Sequence, residues 1–129
     1  MSRFFEFNQN NSGGVFDFNE AAGITHFVII EAETPDQASA RAQDIGLYFD
    51  GCAKGQDCGC CGDRWDDIYK GEEGTEVPTV YGKPVENASS FNTWMKEGKE
   101  ICVHYLNGDK KWFGMAKEPL PVINQLLGD

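Results

Sequence analysis

Positive charge is scarce in this chain, long apolar runs are missing, and histidine occurs twice. Eleven basic residues face 21 acidic ones over 129 positions, for a net charge of -10. A field of that sign repels nucleic-acid backbones and anionic membranes, so general nucleic-acid binding is not expected. It suits a basic protein partner, and a small anion would need a local basic pocket. No stretch approaches the roughly 18 apolar residues of a membrane span. The opening MSRFFEFNQNN is polar by its eighth residue, where a signal peptide needs a basic start and then an apolar run. The expected location is a cytosol.

Catalytic signatures are missing too. There is no phosphate-cradling Gly-rich fingerprint and no serine elbow; Ser12, Ser39, Ser89 and Ser90 stand in turn, helix or cap contexts. His26 and His104 each lie in an apolar strand-like run, where a hydrogen-bonded imidazole is commoner than a catalytic one. Neither His26-Phe27-Val28 nor His104-Tyr105-Leu106 supplies the glutamate of a zinc deaminase.

What remains is enough for one domain over residues 1–129, because 40% hydrophobic content can fill a single core. Two aromatic runs, Phe4 to Phe7 and Val15 to Phe18, flank a polar cluster ending in Gly13-Gly14, which predicts an N-terminal hairpin. The loop Asn8 to Gly14 reads as a surface turn or as a polar contact for a ligand or partner. Phe27 to Ile30 is continuously β-branched or aromatic and predicts a central strand. Thr34 is a good N-cap, Pro35 suits the first helical position and Gln37 completes a capping box. Ala38, Ala42 and Ile45 fall on one helical face, and Gly46 ends it.

After the helix, Leu47 to Asp50 predicts a short strand leading into residues 50–76, a Gly-rich excursion with eight acidic and three basic residues. A second short strand is expected around Val77 to Tyr81. Ser89 or Ser90 would cap a helix carrying Phe91, Trp94 and Met95. Asn107-Gly108 marks a hairpin between two apolar runs, and Val122 to Leu127 fits a short amphipathic helix. The expected fold class is α+β: a small single domain with a mainly antiparallel sheet packed on one or two helices, carrying the Cys-rich excursion on its rim.

Four of the five cysteines, Cys52, Cys58, Cys60 and Cys61, fall within ten positions. In a reducing compartment clustered thiols more often bind metal or do redox work than form structural disulfides. Four thiolates suit a closed zinc site, although C-x5-C-x-C-C is not a standard finger. Cys58 to Gly62 resembles a metal knuckle, with Gly59 and Gly62 giving the turn its freedom. Cys58 and Cys61 would then ligate, Cys52 would be third, and the fourth place would fall to Cys60, His26, His104 or Cys102. A redox dithiol, or unligated thiols in a turn, are the other readings; the redox one lacks the helix N-terminus that usually lowers a thiol pKa.

Asp63-Arg64-Trp65 follows directly. Structurally, Trp65 would cap the core while Arg64 pairs with Asp63 or Asp50. Functionally, Trp65 would stack on a ligand or partner and Arg64 would fork an anion. The pairs Asp66-Asp67 and Glu72-Glu73 read most simply as a solvated face, with a hard cation or a basic partner as the other readings.

The segments FNQNNSGG, VIIEAETPDQASARAQDIGLYFDGC and DCGCCGDRW resemble a family of small, mostly hypothetical proteins of tailed bacteriophages. The likeness covers the first half of the chain and is specific in the cysteine segment. It implies an infected bacterial cytoplasm, carries over no catalytic residues and leaves the activity open. The resulting expectation is a non-enzymatic accessory protein that binds and neutralises a host defence or metabolic component. Its test residues are Asp63, Arg64, Trp65, Asn10 and Asn11, beside a zinc at Cys52, Cys58, Cys60 and Cys61. The alternatives are a sponge for a nucleotide-type immune signal and a thiol- or metal-dependent enzyme. A homo-oligomer is compatible with all three.

Overall fold

Among the described residues the strands and α-helix are β1 (Arg3–Asn8), β2 (Phe27–Ala32), α1 (Pro35–Ile45), β3 (Thr79–Val80), β4 (Lys83–Pro84), β5 (Ser89–Ser90), β6 (Ile101–His104), β7 (Lys110–Phe113) and β8 (Ala116–Lys117). They come from a computed structural model that describes residues 1–10, 12, 16–90 and 98–117. Four of them make the main sheet, in the order β1-β2-β6-β7. The expected Phe91 helix and the Val122 helix lie outside the described residues, and Ser89–Ser90 pairs as a strand with Ala116–Lys117.

β2 is central because its run is apolar on both faces. Val28, Ile30 and Ala32 pack with Phe5 and Phe7 of β1 against Ala38 and Ala42 of α1. Phe27 and Ile29 point the other way, onto Val80, Val85, Ile101 and Val103. Each fully buried side chain of this kind contributes about 1.5–3 kcal/mol. The helix forms as its end signals dictate: the Thr34 hydroxyl accepts the Gln37 N–H at 3.1 Å, and the Gln37 side chain accepts the Glu33 N–H at 3.0 Å. Beyond Gly46, Leu47 donates its N–H back to Ala42. The two alanines, both 0% exposed, let the helix lie close on β2.

The α+β expectation holds, but the sheet is mixed. β1–β2 and β6–β7 are antiparallel, whereas β2–β6 is parallel, with Phe27 opposite Ile101 and Ile30 opposite His104. A parallel neighbour needs a long crossover, and α1, the excursion and residues 77–100 provide it.

Two local expectations are also corrected and a third is met. β1 pairs with β2 rather than with the Val15 to Phe18 run, because the ladder to β2 buries Phe5 and Phe7 over six matched pairs. Phe16 instead lies over His26 and Phe18 over Trp112, at ring distances of 4.6 and 5.9 Å. Leu47 to Asp50 forms no strand; Leu47 and Phe49 simply drop into the core. The β6–β7 hairpin is present, but its loop has three residues, Leu106 to Gly108, closed by bonds between Tyr105 and Asp109 and between Gly108 and Tyr105. Only Gly108 takes a positive φ there, the pattern of a type I turn with a left-handed closing residue.

The excursion runs along the outer edge of β1. Phe4 and Thr75 exchange two 2.9 Å bonds, and Asn10 donates to the Arg64 carbonyl at 2.8 Å. It thereby covers both ends of a strand edge that would otherwise be open to pairing.

Candidate functional site

Arg64 is the hub of the excursion. Its side chain is 8% exposed and its donors point inward. Nη1 reaches Gln9 Oε1 at 3.0 Å, Nη2 the Ser12 carbonyl at 2.9 Å and Nε the Tyr48 hydroxyl at 3.2 Å. Asp17 and Asp57 lie 3.3 and 3.9 Å from Nε. These two carboxylates replace the expected pairing with Asp63 or Asp50. Asp57, whose side chain is 1% exposed, also accepts the Tyr48 O–H at 2.7 Å and the Arg64 backbone N–H at 2.8 Å. Asp57 can swing under the chain because Gly51 has no side chain; a Cβ there would lie 1.9 Å from Asp57 Oδ2. Tyr48 has its pKa raised by partial burial and by Asp57, so it stays a donor.

A second tier of bonds fixes the cysteines. Asp63 accepts the Cys52 N–H at 2.9 Å, and that bond holds its carboxyl below the usual range. Ser12 Oγ accepts the Cys58 N–H at 3.0 Å. Asn10 donates to the carbonyls of Cys61 and Asp63 at 2.8 and 3.2 Å. Asn11 lies outside the described residues. Trp65 is 1% exposed and packs in the core with Phe5, Phe7 and Phe49. Neither the indole face nor the guanidinium is open to a base and a phosphate in this arrangement.

The thiols themselves differ. Residues 58–62 form a tight turn in which Cys61 and Gly62 both donate to the Cys58 carbonyl at 3.2 Å. Of the two glycines expected to free this turn, only Gly62 has a positive φ, of 90°. The Cys61 thiol, and then the N–H groups of Cys60 and Cys61, bond to the Cys58 sulfur and lower its pKa. Cys60 and Cys61 are exposed. Cys52 donates its S–H to the Cys58 carbonyl at 3.2 Å, and desolvation with Asp63 beside it pushes that thiol up to about 11.

Among the described residues no group of three or more His, Cys, Asp or Glu side chains is arranged to hold a metal ion. The Cys58 turn fits the zinc reading, since amide donors on a sulfur stabilise a thiolate. Cys52 does not fit it as placed, because it would have to lose both its proton and its bond to the Cys58 carbonyl. The other suggested ligands lie in the sheet or directly before it. Cys102 is buried in β6, where desolvation pushes its thiol up to about 12. His104 bonds the Gly23 carbonyl at 2.8 Å, and His26 stacks on Phe27.

Sequence reasoning missed Gln9, Ser12, Asp17, Tyr48 and Asp57, which do most of the holding. The available signal was the lone Asp57 between Gly51 and the cysteine turn. It also missed Glu100, which is 1% exposed; its Oε1 accepts the Met115 N–H at 3.0 Å and its Oε2 has no partner among the described residues.

No helix among the described residues is long and apolar enough to cross a membrane. No curated protein and no solved structure matches the chain. A family model does match, over residues 2–121 and therefore through sheet, helix and excursion alike, and the chain belongs to that family, described as Domain of unknown function (DUF7296).

Proposed function

We propose that this protein works by occupancy rather than turnover, as a phage accessory protein that binds and neutralises a host protein in the infected cytoplasm through its cysteine rim. The observation that carries this reading is the division of labour on the rim. Arg64, Asp57 and Asp63 are spent on internal bonds, and the turn they fix leaves Asn10, Cys60 and Cys61 exposed. A surface already held in one shape loses little entropy on binding. The net charge of -10 would steer it towards a basic partner. Burial of Arg64 and Trp65 favours a protein target over the nucleotide sponge.

Zinc belongs to this proposal as a further lock on the rim, held by Cys58 and Cys61 with Cys60, and joined by Cys52 once that thiol gives up its proton and its bond to the Cys58 carbonyl. Protein purified without added metal is expected to carry about one equivalent, and Cys58→Ser to carry under about a tenth. Wild-type content below a tenth would remove zinc and leave the binding reading standing.

The binding reading itself is tested with immobilised protein and host lysate. A host protein captured by the wild type, released by added salt and lost with Asn10→Ala or Cys60→Ser/Cys61→Ser supports it. Equal capture by those variants would sink it. A second reading has one observation in its favour, the lowered Cys58 thiol. Its thiolate would attack a partner's disulfide and release one partner sulfur as a thiol; Cys61 would then attack the Cys58 sulfur of the mixed disulfide, forming the Cys58–Cys61 disulfide and releasing the second partner sulfur as a thiol. Cys61→Ser would then trap the mixed disulfide, which plain binding does not produce.

A further inference from the structure

β1 is an edge strand, and the excursion pairs with that edge only at its ends, at Phe4 through Thr75 and at Asn10 through Arg64. Backbone groups alternate along a strand. Since Phe4 and Asn10 point outward, so do the N–H and C=O groups of Glu6 and Asn8 between them. None of these four groups has a hydrogen-bond partner among the described residues. Between residues 64 and 75 the excursion bows away, and the space enclosed is a cavity of about 300 Å³. Gly74 brings the bow back, with φ +69° and its Cα so near β1 that a Cβ would lie 2.9 Å from the Phe4 carbonyl oxygen.

The cavity's walls have a consistent chemistry. Ile68, Phe4 and Tyr81 give apolar surface, Thr79 a hydroxyl, and Glu6 and Glu72 two carboxylates; among the described residues no lysine, arginine or histidine lines it. The neighbouring Arg3 is committed to the carbonyls of Glu73 and Gly74 at 3.1 and 3.2 Å. Burial raises the pKa of Glu6, with a smaller push from Glu72, against the hydrogen bonds from Asn8 and Tyr81 that lower it. Tyr81 gives a separate sign. It sits with Gly82 in the two-residue loop of the β3–β4 hairpin at φ +51°, a conformation that bulky residues rarely adopt and that Asn or Gly would fill more easily. Strain kept at a cavity mouth is a marker of function. There the Tyr81 N–H donates to the Glu6 carboxylate at 3.2 Å.

The geometry points to a binding site for the amino terminus of a peptide, its ammonium between Glu6 and Glu72 and its first amide paired with the open edge of β1 at Glu6 and Asn8. Charge complementarity selects an amino rather than a carboxyl terminus, and the two end contacts admit a chain end but not a strand passing through. Strand addition and terminal-amine capture are both established modes of peptide recognition. The site is separate from the cysteine rim, so its failure leaves the rim reading untouched.

The test is amide chemical-shift titration of the full chain with alanyl-leucinamide, N-acetyl-alanyl-leucinamide and butylamine. The free peptide is expected to saturate, with the largest shifts at Glu6, Asn8 and Tyr81. Loss of the ammonium by acetylation, or of the amide in butylamine, should weaken binding about tenfold or more. Glu72→Gln, which keeps an acceptor for the Gly74 N–H, should weaken it similarly with Tm unchanged. Absence of saturable binding, equal affinity of free and acetylated peptides, or shifts that spare Glu6 and Asn8 would overturn the proposal.

Discussion

The sheet with its helix and the cysteine excursion are held by different physics. In the first, a central apolar strand is buried on both faces and its backbone is consumed by ladders. In the second, regular pairing is nearly absent, and one guanidinium gathers Gln9, Ser12, Asp17, Tyr48 and Asp57 from four stretches of chain. A Gly-rich, acidic loop can thus have a single shape without a hydrophobic core of its own, provided that a buried charge is surrounded by acceptors. The sulfur atoms, which look like the organising feature in the sequence, are carried by that framework.

The sharpest way to break this contrast is at Trp65, where the two regions meet. Trp65→Ala is expected to cost ~3–5 kcal/mol in urea unfolding, as much as Phe5→Ala in the sheet. A much smaller loss would make the excursion an independent appendage. Next comes Arg64→Met, which leaves the buried Asp57 carboxylate without its counter-charge and should cost about 3 kcal/mol. Adding Asp57→Asn should then cost less than it does alone, a coupling measurable in a double-mutant cycle.

Acid should separate the regions by pH. Burial lowers the pKa of His104, as it does that of His26, so the unfolded chain binds those protons first and sheet stability falls as pH drops through the ordinary 6.5. The depressed Asp63 carboxyl works lower down. Its contribution is present above its ordinary 3.8 and is lost as pH falls through the folded-state value. His104→Gln should therefore flatten the stability profile near pH 6.5, whereas Asp63→Asn should flatten only its acid end. The smallest effect belongs to the exposed thiols. In metal-free protein, Cys60→Ser and Cys61→Ser should each change stability by less than about 0.5 kcal/mol; a large loss would mean that sulfur carries the framework after all.

Much of the regular structure was legible because its signals are local. Thr34, Pro35, Gln37 and Gly46 mark α1 within one stretch of chain, Phe27 to Ile30 marks the central strand, and Gly108 the β6–β7 turn. Partner choice was not legible. Phe16 and Phe18 looked as strand-like as Phe5 and Phe7, and only the competing ladder to β2 separates them. At the rim, Asp50, Asp57 and Asp63 are equivalent as letters near Arg64. Gly51 and Tyr48 select Asp57.

By itself, then, the sequence determined the helix, the central strand, the acidic field and the clustering of thiols, since propensity, capping and charge act over a few residues or need no geometry at all. Only the tertiary structure decided that β2 lies parallel to β6, that Arg64 closes onto residues 52 and 55 positions away, and that the edge of β1 is left open at Glu6 and Asn8 among the described residues. Those outcomes depend on which distant groups can be buried together with their hydrogen bonds met, and short-range signals do not carry that information.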